Sequence, residues 1–103
     1  MNGVRFIPWN SPEAPTKNAI RRLLDGEGLT YYTWGNAPLD TYSAHTHPYN
    51  KVLYVSQGSI TFYLPQTGQS VTLQSGDRLD LPAGTLHSAT VGAQGVECYE
   101  AHC

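Results

Sequence analysis

Apolar and polar residues alternate in short stretches over most of this chain, and turn residues separate the stretches. Alternation with a period of two places every second side chain on the buried face of a β-strand, and clusters of Gly, Pro, Asn and Ser end such strands. The pattern predicts strands over 4–9, 29–34, 41–47, 51–57, 59–64, 70–73, 78–81, 87–91 and 96–101. Short strands at this spacing are typical of an all-β sandwich or barrel rather than of a helical or α/β fold.

One segment near the N-terminus has a helical period instead. Thr16 is a suitable N-cap residue, and Gly26 and Gly28 provide a stop. The apolar residues between them repeat at helical spacing, and they are Ile20, Leu23 and Leu24. We therefore expect one short helix whose apolar stripe packs against the rest of the protein.

Length and composition restrict the classes of protein that remain. A chain of 103 residues fits one domain, here 1–103 with the barrel core at about 29–101. A formal net charge of −2 without runs of like charge argues against nucleic acid and anionic membranes as partners. The N-terminal residues do not resemble a signal peptide, and no apolar stretch approaches a membrane span of about 20 residues. We expect a soluble, cytoplasmic protein whose two cysteines are reduced thiols.

Three of the four histidines are spaced so that they can share one metal ion. His45 and His47 form an H-x-H pair, which on a strand points both side chains to one face about 6 to 7 Å apart. On a helix the same two side chains would diverge by about 200°. The metal hypothesis therefore requires a strand at 41–47, and a barrel would have to bring His87 to the same place.

The segment that ends at His87 resembles the second motif of the cupin superfamily. That motif is Gly, five residues, Pro-x-Gly, two residues and His, and here Gly76, Pro82-Ala83-Gly84 and His87 match it in full. Cupins are small double-stranded β-helix barrels, also called jelly rolls. The match is specific because each of these residue types is required at a fixed spacing.

The first cupin motif is matched except at one position. It runs H-x-H, three or four residues, Glu, six residues and Gly, and His45, His47 and Gly58 fall in place. The glutamate position holds Lys51. The resemblance implies an all-β jelly-roll barrel with one short N-terminal helix, and a divalent transition metal inside its mouth held by His45, His47 and His87.

Lys51 leaves several interpretations open, because an ammonium group cannot ligate a metal ion. The site can be a three-histidine site, as in the thiol and diketone dioxygenases of the superfamily, with Lys51 turned aside or holding an anionic ligand. A lysine of lowered pKa that acts as a base, and a degenerate site without metal, are two further alternatives. Lys51 can also be a rim side chain with its head in solvent. A carboxylate from elsewhere, Glu97 or Asp40, is a candidate substitute for the missing glutamate.

Two hypotheses of function follow. The first is a metal-dependent enzyme, dioxygenase-like, that acts on a small anionic or enolisable substrate. The second is a binding module that holds a small ligand or a metal without turnover, since the fold alone does not decide between them. Fe, Mn, Ni, Cu and Zn ions all accept imidazole as a ligand, so the sequence does not select among these metals. The apolar first strand at 4–9 further predicts a homodimer.

Overall fold

The structure, a computed structural model, describes residues 3–103 and consists mainly of antiparallel strands. The elements in chain order are β1 (Arg5–Ile7), α1 (Lys17–Gly26), β2 (Tyr31–Asn36), β3 (Thr41–His45), β4 (Lys51–Leu64), β5 (Gln69–Gln74), β6 (Arg78–Leu81) and β7 (His87–His102). The prediction of an all-β fold with one short N-terminal helix is confirmed.

The two longest strands of the structure each combine two strands that were predicted separately. Residues 51–57 and 59–64 belong to one strand, β4, and residues 87–91 and 96–101 belong to one strand, β7. Gly58 has a φ of 73° and Gly95 a φ of 78°, conformations that favour glycine. They coincide with register shifts in the β4–β7 ladder rather than with chain reversals. The glycines that predicted turns therefore form β-bulges, which bend a continuous strand.

The first three strands also differ from their predicted bounds. The first strand is only Arg5–Ile7, and β2 begins at Tyr31 and continues to Asn36. β3 ends at His45, so His47 lies beyond the strand on which its orientation was predicted. The chain leaves the ladder before Pro48, which cannot donate a hydrogen bond to a neighbouring strand.

The sheet is ordered β1-β6-β4-β7-β2, with β3 also paired to β7 and β5 also paired to β4. All of these pairs are antiparallel. β4 and β7 run beside each other from Lys51 opposite His102 to Tyr63 opposite Ser88. These two strands therefore carry most of the residues that face the barrel interior.

Side chains alternate between two hydrophobic clusters on opposite faces of β4. Leu53 and Val55 belong to the interior cluster, whereas Val52 and Tyr54 pack on the outside with the helix residues Ile20 and Leu24. The two helix residues are fully buried, as the apolar stripe predicted. Leu23, the third residue of that stripe, is 44% exposed, so its predicted packing role is wrong.

The remaining local predictions concern the helix cap, the cysteines and membrane spans. The Thr16 side chain accepts a hydrogen bond from the Ala19 N–H at 3.1 Å, which confirms the N-cap. Cys98 is buried in the interior cluster and Cys103 is exposed, both as free thiols. Burial raises the pKa of Cys98 to about 12. Among residues 3–103 there is no helix with the length and hydropathy needed to cross a membrane.

Candidate metal centre

The barrel brings the three predicted histidines together. His45 ends β3 and pairs directly with His87, the first residue of β7. One ring nitrogen from each of His45, His47 and His87 lies within 4.8 Å of the others. The ring centroid of His45 lies 4.4 Å from that of His87 and 4.7 Å from that of His47.

His47 is positioned by a loop contact rather than by a strand. Its backbone carbonyl accepts a hydrogen bond from the Gly84 N–H at 2.8 Å. Gly84 lies in the Pro82-Ala83-Gly84 turn and has a φ of 78°, a left-handed conformation. The glycine of the second cupin motif therefore ties the loop of the first motif to the segment that carries His87.

Hydrogen bonds define which ring nitrogens are free to bind a metal. His45 Nδ1 donates to the Ser43 carbonyl at 2.5 Å, and His87 Nδ1 donates to the Thr85 carbonyl at 2.8 Å. Since a carbonyl only accepts, each Nδ1 carries the proton and each Nε2 keeps a lone pair. His87 Nε2 is buried and has no hydrogen-bond partner among residues 3–103. An orphaned buried nitrogen in a histidine cluster fits a metal ligand, because unsatisfied buried polar atoms are rare.

Burial also lowers the pKa of two of the three histidines. The pKa of His87 is lowered to about 4, mainly by burial and further by the nearby Lys51 charge. Burial and the Lys51 charge likewise lower the pKa of His47. At neutral pH both rings are unprotonated, which is the form that ligates metal ions.

Lys51 faces the barrel interior and not the solvent. It lies on the same face of β4 as Leu53, and its side chain is 9% exposed. The interpretation as a rim residue with its head in solvent is therefore wrong. Its Nζ lies 3.6 Å from Glu100 Oε1.

Glu100 is the functional residue that the sequence analysis missed. It occupies the inward face of β7, and its side chain is 5% exposed. Its carboxylate accepts hydrogen bonds from the Tyr32 hydroxyl at 2.5 Å, the His102 ring at 2.6 Å and the Trp34 indole at 3.0 Å. Burial acts to raise the pKa of Glu100, but these donors and Lys51 outweigh it and lower the pKa below its usual value.

The two carboxylates suggested from the sequence are elsewhere. Glu97 pairs with Lys17 at 3.1 Å and accepts a hydrogen bond from Ser56 at 2.8 Å. Asp40 accepts a hydrogen bond from the Ala37 N–H at 3.0 Å in the loop before β3. Alternation along β7 indicates Glu100 instead, because it is two residues from the buried Cys98, whereas Glu97 is one residue from it.

The histidine cluster and the Lys51–Glu100 pair line one cavity of about 400 Å³. That volume lies within the range of small-molecule sites. Most of its remaining walls are apolar or aromatic side chains, although Asn36 also lines it. The apolar and aromatic residues include Trp34, Tyr42, Tyr49, Ile60, Phe62 and Ala89. The arrangement can hold a metal ion and a small ligand side by side.

The sequence matches no protein-family model and no curated protein. Its structure is similar to solved structures. A DUF861 family protein from Thermotoga maritima has 16% identity and a TM-score of 0.64, with 97% of this chain and 99% of that chain covered. A cupin superfamily protein from Desulfitobacterium hafniense has 14% identity and a TM-score of 0.62, with 98% and 77% covered.

A third similar structure is the polyketide cyclase RemF from Streptomyces resistomycificus. It has 23% identity and a TM-score of 0.63, and the alignment covers 73% of this chain but only 54% of that one. At these identities the likeness concerns the fold. The fold agrees with the two motifs read from the sequence, and the chain adopts the double-stranded β-helix fold of these cupin structures, with one short helix.

Proposed function

We propose that this protein is a metal-binding cupin whose divalent transition metal ion is held by His45, His47 and His87. The observation that carries the proposal is the convergence of three imidazoles within 4.8 Å, with His87 Nε2 buried and without a partner among residues 3–103. Three neutral nitrogen donors are a common ligand set for such ions, and they leave coordination positions open for a ligand.

Elemental analysis of protein purified without a histidine tag tests this proposal. We expect near-stoichiometric metal in the wild type and a loss of at least tenfold in a His45→Ala, His47→Ala double variant. His102→Ala is the matched control, since this fourth histidine lies outside the triad and contacts Glu100. Equal, negligible metal in all three proteins would refute the metal site.

The ligand that fits beside the ion is small and anionic or enolisable. The Lys51 ammonium lines the same cavity as the triad and supports an anionic group there. When bound, the metal would supply Lewis-acid or oxygen chemistry to a ligand placed by the cavity walls. We therefore propose a metal-dependent enzyme, dioxygenase-like, as the function.

Oxygen uptake distinguishes turnover from binding. Iron(II)-loaded protein is mixed with representative thiol, 1,3-diketone and 2-oxo acid compounds, and dissolved oxygen is followed with an electrode. We expect uptake above that of free iron(II) with at least one class, and none with the double histidine variant. Binding of the same compounds without uptake would refute the dioxygenase proposal and leave a binding module.

One observation favours that second candidate, a non-catalytic module that binds a small ligand or metal. Each oxygen of Glu100 already accepts a hydrogen bond, and the pKa of this carboxyl is lowered. Such a group is a weak base, because efficient general bases have a pKa near the working pH. The cavity therefore contains a charged pair suited to recognition rather than to proton abstraction.

A homodimer through the first strand is a further proposal. β1 pairs with β6, and its residue Phe6 is 37% exposed, although Val4 beside it is buried within its own barrel. The exposed ring and strand edge suit a second copy of the chain. Sedimentation velocity would refute the dimer if it detects only an 11.3 kDa species at high concentration.

A further inference from the structure

The Lys51–Glu100 pair has two unequal partners. Nζ of Lys51 has no hydrogen-bond acceptor among residues 3–103, and its separation from Glu100 Oε1, 3.6 Å, is longer than a hydrogen bond. The lysine is nevertheless more than nine-tenths buried and lines the cavity. Its donors therefore remain available to a ligand.

The Glu100 carboxylate, by contrast, accepts hydrogen bonds from three side chains. Tyr32 and His102 donate to Oε2, and the Trp34 indole donates to Oε1. A carboxylate with these donors cannot rotate without losing them, so its negative charge has a fixed place in the cavity. The charge holds the lysine ammonium inside the barrel and opposes any second negative charge that enters.

Together these charges determine what the cavity accepts. A divalent metal ion on three neutral imidazole ligands would bring its own positive charge to the site, and the Lys51 and Glu100 charges lie together beside it, 3.6 Å apart. A monoanion can bind the metal and contact the Lys51 ammonium. The second charge of a dianion would share the same 400 Å³ cavity with the Glu100 carboxylate. Like charges roughly 6 Å apart at an effective dielectric constant of about 40, between the values for protein and water, repel enough to change affinity by about tenfold.

We propose that Glu100 is a specificity-determining residue that balances the Lys51 charge and shifts the preference of the site from dianionic towards monoanionic ligands. The proposal deepens the proposed function and rests on it, because the ligand binds beside the metal. It assigns a role to the lysine that replaces the glutamate of the first cupin motif, and to a carboxylate from a different strand.

Anion titrations of cobalt(II)-loaded protein test the proposal. Acetate is the monoanionic probe and malonate the dianionic probe at pH 7.5, and the visible cobalt spectrum reports binding. In Glu100→Gln we expect the ratio of malonate to acetate affinity to rise about tenfold, because the Lys51 charge is no longer balanced. Lys51→Met should lower the same ratio about tenfold. The double variant, which removes both charges, should return within about threefold of the wild type.

Two controls separate this inference from simpler explanations. Glu100→Asp keeps the charge and should keep the wild-type ratio, whereas a merely structural role would leave the ratio unchanged in every folded variant. If Glu100→Gln does not fold, comparison of Lys51→Met with the double variant still decides the question, because these two proteins differ only at Glu100.

The outcomes distinguish the inference from the proposed function. If cobalt(II) binds to neither the wild type nor the variants, the metal-binding proposal fails and the specificity proposal fails with it. If cobalt(II) binds normally but the malonate to acetate ratio stays within twofold in Glu100→Gln and Lys51→Met, only the specificity proposal is wrong.

Discussion

The interior of this barrel has two parts that the same strands build with different chemistry. On β4, Leu53 and Val55 are fully buried among apolar side chains, whereas Lys51, two residues before Leu53 on the same face, lines the cavity. On β7, Val91 is fully buried in the apolar cluster, and His87 lies four residues before it in the cavity. The inward face of β4 thus begins with a polar residue and continues with apolar ones, whereas that of β7 has His87 and Glu100 near its two ends and apolar residues between them.

The difference shows that burial alone does not tell whether a residue stabilises the fold or binds a ligand. Leu53 and His87 are equally inaccessible, at 0% and 1% exposure. Burial of the leucine stabilises the fold, because apolar surface leaves water. Burial of the imidazole leaves a nitrogen without a partner among the described residues, which costs stability unless a ligand satisfies it. The apolar part should therefore carry stability and the cavity should carry ligand binding.

Leu53→Ala is expected to give the largest loss of stability, and that loss should be confined to the apolar part of the interior. This change removes a fully buried side chain and leaves a space in the apolar cluster, which should lower the free energy of unfolding by about 2–5 kcal/mol. Urea denaturation followed by tryptophan fluorescence measures it. Metal content per folded molecule should stay at the wild-type value. A loss of metal from folded Leu53→Ala protein would show that the two parts of the interior are not independent.

Acid should destabilise the metal-free protein through the cavity. The pKa of His87 is about 4 in the folded state and near 6.5 when unfolded, so the unfolded state binds more protons between these values. The stability is complete above pH 6.5 and is lost as the pH falls towards 4, by about 3 kcal/mol. The lowered pKa of His47 acts in the same direction.

Urea denaturation in the presence of a chelator at pH 7.5 and pH 4.5 measures this loss. His87→Gln removes the titrating group and should flatten the dependence, although it does not abolish the contribution of His47. Saturating zinc should preserve stability at intermediate pH, because a ligand that binds only the folded state stabilises it. An equal loss in wild type and His87→Gln would show that other groups control the acid sensitivity.

Sequence reasoning located the three histidines of this cavity because metal ligands in the two motifs occur at fixed spacings. His45, His47 and His87 were predicted from two motifs, and a strand ladder does bring His45 and His87 together. The argument for His47 was incomplete, since a loop held by Gly84 positions it beyond the end of β3. Loop contacts of this kind depend on tertiary structure and leave no periodic signal.

Glu100 escaped prediction for a related reason. Alternation with Cys98 gives its face on β7 only once Cys98 is known to face inward, and the bulge between Val91 and Val96 hides that from the local pattern. Two of its hydrogen-bond donors, Tyr32 and Trp34, come from β2 and leave no local signal. The same bulges caused the two long strands to be predicted as four short ones. Local propensity identified the glycines, but only the paired strands decide between a turn and a bulge.

The glycines of the two motifs provide a third prediction, a loss of about 2 kcal/mol in the free energy of unfolding when Gly58 is replaced. A Cβ at Gly58 would lie 2.0 Å from the Gly95 carbonyl oxygen, and the φ of 73° disfavours alanine in any case. A Cβ at Gly84 would meet nothing within 4 Å, although its φ is also positive. We expect Gly58→Ala to lower the free energy of unfolding by about 2 kcal/mol or more, and Gly84→Ala by about 1 kcal/mol, in urea denaturation.

These two substitutions also compare an effect on the stability of the fold with an effect on the metal site. Gly58 bends the ladder, so its change should affect stability more than metal content. Gly84 anchors His47 through its N–H, and alanine keeps that donor. If Gly84→Ala proves as costly as Gly58→Ala, then conformation alone, rather than the close approach of Gly95, limits both positions.

The smallest expected effect comes from the helix on the outer face of the sheet. Thr16→Ala removes the N-cap hydrogen bond to the Ala19 N–H and should lower the free energy of unfolding by about 1 kcal/mol, measured in urea. Thr16→Ser is the matched control because serine keeps the accepting oxygen. The helix packs on Val52 and Tyr54, which alternate with Lys51 and Leu53 along β4. Metal affinity should therefore change less than twofold in Thr16→Ala, and a larger change would mean that packing on the outer face controls the position of Lys51 on the inner one.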